Sequence, residues 1–222
     1  MSVPGGAPPA AVGWKPALPE PLPADPLALL TAWLAEAAAS VRNATAMTLA
    51  TVDTAGRPTA RMVICRGVDA RQGCFVFYTD RESAKGRHLV RHPWAALVFH
   101  WDALERQARV EGPVTDAPEA DAEAYWQTRP REARVAAAAS RQSQPLAARA
   151  DFLERMARVS RDNGEVVPRP ARWGGYRVWA ERLELWVGQP GRAHDRALWT
   201  RALTPAAGGF TAGPWSATRL DP

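Results

Sequence analysis

The sequence predicts an α+β protein whose antiparallel strands make a closed or nearly closed β-barrel. Three observations lead there. Short segments of period-two alternation recur along most of the chain. Their links, such as "TAGRP" and "ARQG", are short and contain glycine, which favours hairpins. Helical periodicity is concentrated at about 25–42 and in an insert at about 117–164.

In chain order, residues 1–24 are rich in Pro, Ala and Gly and read as a flexible arm preceding one domain over 25–222. "DPLALLTAWLAEAAASVR" (25–42) is a helix with Leu27, Leu30, Trp33, Leu34 and Ala37 on one face, Asp25 at the N-cap and Pro26 at N1. Strands follow at 46–53, 59–69 and 74–80, then a short helix at 81–93 ended by Pro93. Two more strands, 94–102 and 106–116, flank a tight turn. The insert reads as three helices, 117–130, 131–140 and 145–164, the last closed by Gly164. Strands return at 174–188, in "HDRALWTRAL" and in the final "WSATRLDP".

Composition narrows the function. At 222 residues and 46% hydrophobic content the chain suffices for one well-packed domain. It has no apolar run long enough to span a bilayer, and its start lacks a secretion-signal pattern. Cys65 and Cys74 lie in apolar runs and read as unpaired core residues in a reducing compartment, which makes the protein cytoplasmic. The net charge of +5 raises the question of nucleic acid, but the arginines are interspersed with acids and form no basic block. Lys15 and Lys85 are the only lysines.

The familiar catalytic motifs are missing. No P-loop, no Gly-x-Gly-x-x-Gly and no nucleophile elbow occurs. His88 and His92 have the i, i+4 spacing of a metal pair but no third ligand, so no metal is expected, and His100 reads as a core strand residue. What remains is a set of cations and hydroxyls at strand ends. In "RMVICRG", Arg61 and Arg66 flank an apolar run that reads as a strand buried on both faces. Tyr78 and Thr79 end the next strand, and Ser83 and Lys85 open the following helix, where backbone N–H groups favour an anion. Together they describe a polyanion site, most simply for phosphate. A second cluster, "WVGQPGRAHDR" (186–196), places Arg192, His194 and Arg196 at alternate positions, hence on one strand face.

These clusters resemble, in order and spacing over some 200 residues, the pyridoxamine 5′-phosphate oxidase family of FMN enzymes. The pieces that carry the resemblance are "NATAMTLATVDTAGRPTARMV", "FVFYTD", "SAKG", "LERQARVEG", "AYWQTRPRE", "SRQSQPLAAR", "WGGYRV" and "LELW" followed by "RAHDR". The resemblance implies a split β-barrel working as a homodimer, with FMN in clefts at the dimer interface. It implies cofactor contacts from Arg61, Met62, Val63, Ile64, Cys65, Arg66, Tyr78, Thr79, Lys85, Gln107, Gln142, Ser143, Trp186 and Arg196, partly from the second subunit. Arg66, Tyr125, Arg129, Arg192 and His194 would bind substrate, Tyr125 and Arg129 from one helical face, with Arg192 and His194 over the reacting ring as catalytic groups. A hydride would pass from substrate C4′ to flavin N5, giving pyridoxal 5′-phosphate, and O2 would reoxidise the flavin to yield H2O2.

Four features depart from the family's usual pattern. Residue 66 is Arg rather than Lys, 84 is Ala rather than Arg, 133 is Ala rather than Ser, and the arm lacks the motif that can close over substrate. A related flavin oxidase tailoring a carboxylated secondary metabolite, of the phenazine type, is the alternative that Arg66 and the missing arm motif favour, since a planar guanidinium at 66 suits a carboxylate. A flavin-binding module without turnover is a third reading, against which the retained "RAHDR" argues.

Overall fold

The computed structural model describes residues 15–222. Helix α1 (Leu27–Ser40) packs Leu27, Leu30, Trp33 and Ala37 into the main core, as its 3.6-residue period requires. It starts one residue later than expected, and the Asp25 carboxylate accepts from the Leu27 N–H at 2.8 Å. Strands β1 (Ala46–Val52) and β2 (Pro58–Ile64) form a hairpin in full register, Ala46 opposite Ile64 and Val52 opposite Pro58. The expected strand at 59–69 is in fact two. The chain breaks pairing at Cys65 and Arg66, and β3 (Gly67–Asp69) pairs instead with β4 (Cys74–Asp80).

Helix α2 (Ala84–Arg91) starts at Ser83, whose hydroxyl accepts from the Gly86 N–H. Strands β5 (Trp94–Trp101) and β6 (Arg106–Asp116) pair along their length around a 3-10 turn. Helices α3 (Glu119–Thr128), α4 (Arg131–Ala139) and α5 (Arg149–Asn163) form the insert. The expected strand at 174–188 also divides, into β7 (Trp173–Trp179) and β8 (Arg182–Val187). Strands β9 (Asp195–Thr200) and β12 (Ser216–Leu220) follow, with an unexpected hairpin of β10 (Leu203–Ala206) and β11 (Gly209–Ala212) between them.

The principal sheet runs β12-β9-β8-β6-β5-β1-β2, and a branch β3-β4-β7 rejoins it at β6. Strand β6 is the junction. Residues 106–111 pair with β8, while Val114, Thr115 and Asp116 pair with β7. Around this corner the sheet curls into the expected split barrel over a core that includes Phe75, Phe77, Phe99, Trp101, Leu183 and Trp199. A smaller core of Trp126, Val135, Val167 and Trp173 lies under the insert. Among the described residues no helix is long and apolar enough to cross a membrane.

Gly112 sits at the corner because nothing larger fits: a Cβ there would run into the Trp179 carbonyl oxygen, which is backbone and cannot swing away. Gly112→Ala should therefore destabilise the fold by about 1–3 kcal/mol, the usual cost of overpacking, read as a lower midpoint in urea with an unchanged slope.

The reading of "RMVICRG" as a strand buried on both faces is corrected. Among the described residues β2 is the edge of the sheet, hydrogen-bonded only to β1, and Met62 is 62% exposed. Cys65 enters the core, whereas Arg66 is exposed beyond the strand end.

Of the arm, residues 1–14 lie outside the described residues. Residues 15–24 form no helix or strand, yet they are tied to the barrel. Leu18 is buried and its N–H donates to Asp195 at 2.7 Å, while Lys15 and Gln189 exchange two hydrogen bonds.

Candidate functional site

A cavity of about 210 Å³ opens between the edge strand and the insert. It is lined by Met62, Val63, Ile64, Arg66, Tyr78, Thr79, Lys85, Tyr125, Arg129, Gln142 and Trp173. Each element delivers its part for a local reason. Among the described residues strand β2 has no neighbour on its outer side. Strand β4 ends at Tyr78 and Thr79, and Ser83 starts the helix that turns Lys85 inward. Helix α3 supplies Tyr125, and its C-cap Arg129 is already extended (φ −74°, ψ 142°). Tyr125 and Arg129 thus meet in the cavity without sharing a helical face, a correction to the expected arrangement.

The cavity contains three cations, Arg66, Lys85 and Arg129, and no carboxylate. Lys85 is 8% exposed, and its Nζ donates to Gln142 Oε1 at 2.6 Å, Thr79 Oγ1 at 3.0 Å and Ser83 Oγ at 3.1 Å. Burial pushes its ammonium down to about 8, the nearby Arg61 charge adds to the shift, and Asp80 opposes it. Asp80 itself is engaged by Arg172 at 2.9 Å. Arg129 lies over the rings of Trp173 and Trp126, 4.9 and 5.1 Å from their centroids, and its buried Nη1 has no partner. A donor so placed calls for an anionic or carbonyl oxygen.

The aromatic wall is a stack. Tyr78 lies against Tyr125 with centroids 4.5 Å apart and against Trp173 at 5.5 Å. Gly175, directly across from Tyr78 in the β4–β7 register, leaves room for the phenol ring, which a Cβ would approach within 2.7 Å. Arg66 caps the stack, 5.4 Å from the Tyr125 centroid. Trp173 was missed as a site residue from sequence. The glycine pair following it inside a strand was the available signal, since such glycines mark close approach. An adjoining cavity of about 430 Å³ shares Tyr78, Arg129 and Trp173 and includes Ala133.

Arg61 lies outside the cavity lining and folds back on its own hairpin. It donates to Thr51 Oγ1 and Thr59 Oγ1, both at 2.6 Å, and to the Leu49 carbonyl at 3.1 Å. Cys65 is in the core, its thiol raised to about 11 by burial, and does not line the cavity. Ser143 is exposed beside Gln142 with φ 71°.

The second cluster sits elsewhere on the chain. Gln107, Trp186 and Arg196 are direct register partners across β6, β8 and β9, so they form one row on one sheet face. His194 packs on Trp186, centroids 4.6 Å apart, and its Nδ1 accepts from the Gln189 N–H at 3.2 Å, which leaves the hydrogen on Nε2. The expectation that Arg192, His194 and Arg196 share a strand face is overturned. Arg192 is exposed with φ 63° in a 3-10 turn after Gly191 (φ 65°), His194 precedes the strand, and only Arg196 belongs to β9. Arg196 pairs with the buried Glu184 at 2.9 Å, a carboxylate it shares with Arg109 at 3.0 Å.

Among the described residues no group of three potential metal ligands occurs. His88 contacts threonine hydroxyls, and His100 is exposed rather than in the core.

Two family models match the chain: "Pyridoxamine 5'-phosphate oxidase" over residues 34–161 and "Pyridoxine 5'-phosphate oxidase C-terminal dimerisation region" over 173–222. The chain is 46% identical over 203 residues to a pyridoxine/pyridoxamine 5'-phosphate oxidase of Gluconobacter oxydans (strain 621H), covering 90% of this chain and 96% of the relative. It is 50% identical over 186 residues to the like-named protein of Anaeromyxobacter dehalogenans (strain 2CP-C), covering 83% and 93%. Among solved structures it is similar to PhzG from Burkholderia lata 383, determined in complex with tetrahydrophenazine-1-carboxylic acid, with TM-score 0.80, 30% identity, and coverage of 90% and 94%. A pyridoxamine 5'-phosphate oxidase-related, FMN binding protein from Nostoc punctiforme PCC 73102 shares the fold, with TM-score 0.67 at 20% identity over 89% of this chain and 97% of the other. On sequence and fold together, the chain belongs to the pyridoxamine 5'-phosphate oxidase family of oxidoreductases.

Proposed function

We propose that the protein binds FMN and oxidises pyridoxamine 5′-phosphate and pyridoxine 5′-phosphate to pyridoxal 5′-phosphate, with O2 as acceptor. The amine substrate consumes O2 and water and releases ammonia and H2O2; the alcohol substrate releases H2O2 alone. The observation that carries this reading is the cavity with three cations, no carboxylate and a stacked aromatic wall. These residues fit a phosphorylated aromatic cofactor. Lys85 is bonded only to neutral oxygens, and Arg129 keeps a buried N–H without a partner.

In this reading Lys85 and Arg61, with Thr79, Gln142 and Ser143, hold the FMN phosphate. The β2 edge, Met62 to Ile64, lends its open side to the ring system. Bound FMN supplies the hydride acceptor that no side chain here can provide. Arg129, Tyr125 and Arg66 grip the substrate phosphate. Arg192 and His194 lie over the substrate ring, His194 presenting Nε2–H because Gln189 fixes its other nitrogen. The cavity and the Gln107–Trp186–Arg196 row are separate in one chain. We therefore take the working form to be a homodimer in which each site draws the row from the partner, in keeping with the matched dimerisation region. Both cysteines are free, which suits a cytoplasmic protein.

A second reading rests on Arg66 and on the likeness to PhzG: a flavin oxidase for a carboxylated secondary metabolite, with Arg66 and Arg129 on the carboxylate. One assay separates the two. The purified protein is expected to be yellow and to release H2O2 with both phosphorylated vitamers. Yellow protein inert toward both would leave the second reading, and protein that cannot take up FMN would end both.

A further inference from the structure

Helix α2 does more than carry Lys85. Three residues on, and so on the same side of the helix, His88 meets the β1–β2 hairpin. Its Nδ1 lies 3.0 Å from Thr51 Oγ1 and 3.2 Å from Thr59 Oγ1. These are the two hydroxyls to which Arg61 donates, at 2.6 Å each. The two hydroxyls are also 3.2 Å from each other, so Arg61, both threonines and His88 form one cluster. Each hydroxyl oxygen accepts from Arg61 and has one hydrogen left to give. Thr59 has the Thr51 carbonyl at 3.3 Å as its acceptor. The Thr51 hydrogen can then go to His88 Nδ1, which accepts when the ring is neutral with its hydrogen on Nε2. The charged groups around His88 favour that form on balance. Arg61 on β2 and Arg87 and His92 on α2 disfavour protonation, as does burial, which is the largest influence; Asp53 in the β1–β2 turn opposes them.

We propose that His88 is a positioning residue for the cofactor phosphate: through the Thr51–Thr59 hydroxyl pair it locks α2 onto the hairpin and fixes Arg61 relative to Lys85. The inference rests on the reading that Arg61 and Lys85 hold the FMN phosphate. Two cations alone would repel, and a phosphate would draw them to whatever spacing suited it. The hydroxyl bridge instead sets that spacing before the anion arrives, so the ordering is not charged against binding.

The test measures affinity of the apo-protein for FMN and, separately, for riboflavin, which lacks the phosphate, by quenching of flavin fluorescence. His88→Leu is expected to weaken FMN about 3- to 10-fold, the range of one lost hydrogen bond, and to leave riboflavin unchanged. His88→Asn puts an oxygen where Nδ1 stood and should restore FMN affinity. His88→Gln, which reaches the Nε2 position instead, should not. If His88→Leu fails to fold, the Asn and Gln variants decide the question alone. Equal FMN affinity in wild type and all variants overturns the proposal, as does equal loss for FMN and riboflavin, which would mark a merely structural role. A wild type that binds no FMN removes the underlying reading as well, and this proposal falls with it.

Discussion

Lys85→Ala lowers FMN affinity by about 10- to 100-fold, the loss of a charge-assisted hydrogen bond to phosphate, worth roughly 1.5–3 kcal/mol. The apo fold should not suffer, because Lys85 is buried and its ammonium is bonded to hydroxyl and amide oxygens rather than to a carboxylate, so its removal relieves a desolvated charge. Its depressed pKa, about 8, gives a second, independent signature. The sign follows from the direction of the shift. A lysine lowered in the folded state destabilises the fold while it must stay charged, that is below about 8, and this is relieved as pH rises toward the unfolded value. The apo-protein should gain stability from this group above about pH 8, whereas FMN affinity should fall there, since phosphate needs the ammonium. Fluorescence titrations between about pH 7 and 9.5 check this: the decline should vanish in Lys85→Arg, whose guanidinium stays charged throughout. A wild-type affinity flat across that window would remove Lys85 from the phosphate site.

Arg129→Ala has its main effect on substrate. KM for the phosphorylated vitamers should rise about 10- to 100-fold with little change in kcat, because the lost contact holds the remote phosphate in ground and transition states alike. FMN affinity should stay within about twofold. The separation follows from position. Lys85 lies at the root of α2, against Thr79 and Gln142, while Arg129 stands on the insert, flat against Trp126 and Trp173 with Nη1 unpaired. Stopped-flow and steady-state kinetics with FMN titrations on both variants test the division. Should the two variants show the same pattern, the assignment of cofactor and substrate cations would be wrong.

How far the sequence could be read depended on the kind of signal. Strands such as Cys74–Asp80 and Arg106–Asp116 were legible because they are bounded by turn residues and rich in apolar and β-forming residues. The breaks inside 59–69 and 174–188 were not, since neither bend, at Cys65–Arg66 and Ala180–Glu181, carries a Gly or Pro signal and only tertiary pairing with β4 and β6 divides the stretches. The hairpin Leu203–Ala206/Gly209–Ala212 was hidden because "TPAAGGFTAG" reads as a loop; Gly208 (φ 76°) and Gly209 (φ 155°) permit its turn. The alternation of Arg192, His194 and Arg196 misled for a similar reason: two consecutive residues of positive φ, Gly191 and Arg192, replace the strand with a turn. At the site, the chemistry of Lys85 and Tyr78 was readable as residue types at element ends, whereas Arg129 came only through the family resemblance. Trp173 was not readable, because it approaches Tyr78 only through the β4–β7 pairing. The Thr51–His88 contact joins residues 37 apart, and no local pattern announces it.

The double duty of β6 bears on how the chain is made. Its flanking partners, β5 before it and β7 and β8 after, are separated by the whole helical insert. When a ribosome has released residues up to about the end of α5, β6 has an open flank, and that flank is closed only when Trp173–Val187 emerges. Pairings of such long sequence separation are slow to form, and the waiting edge is a template for mispairing with other chains. The first matched region, residues 34–161, should thus not fold by itself, and cutting the chain in the 165–172 linker should give two insoluble pieces rather than two modules.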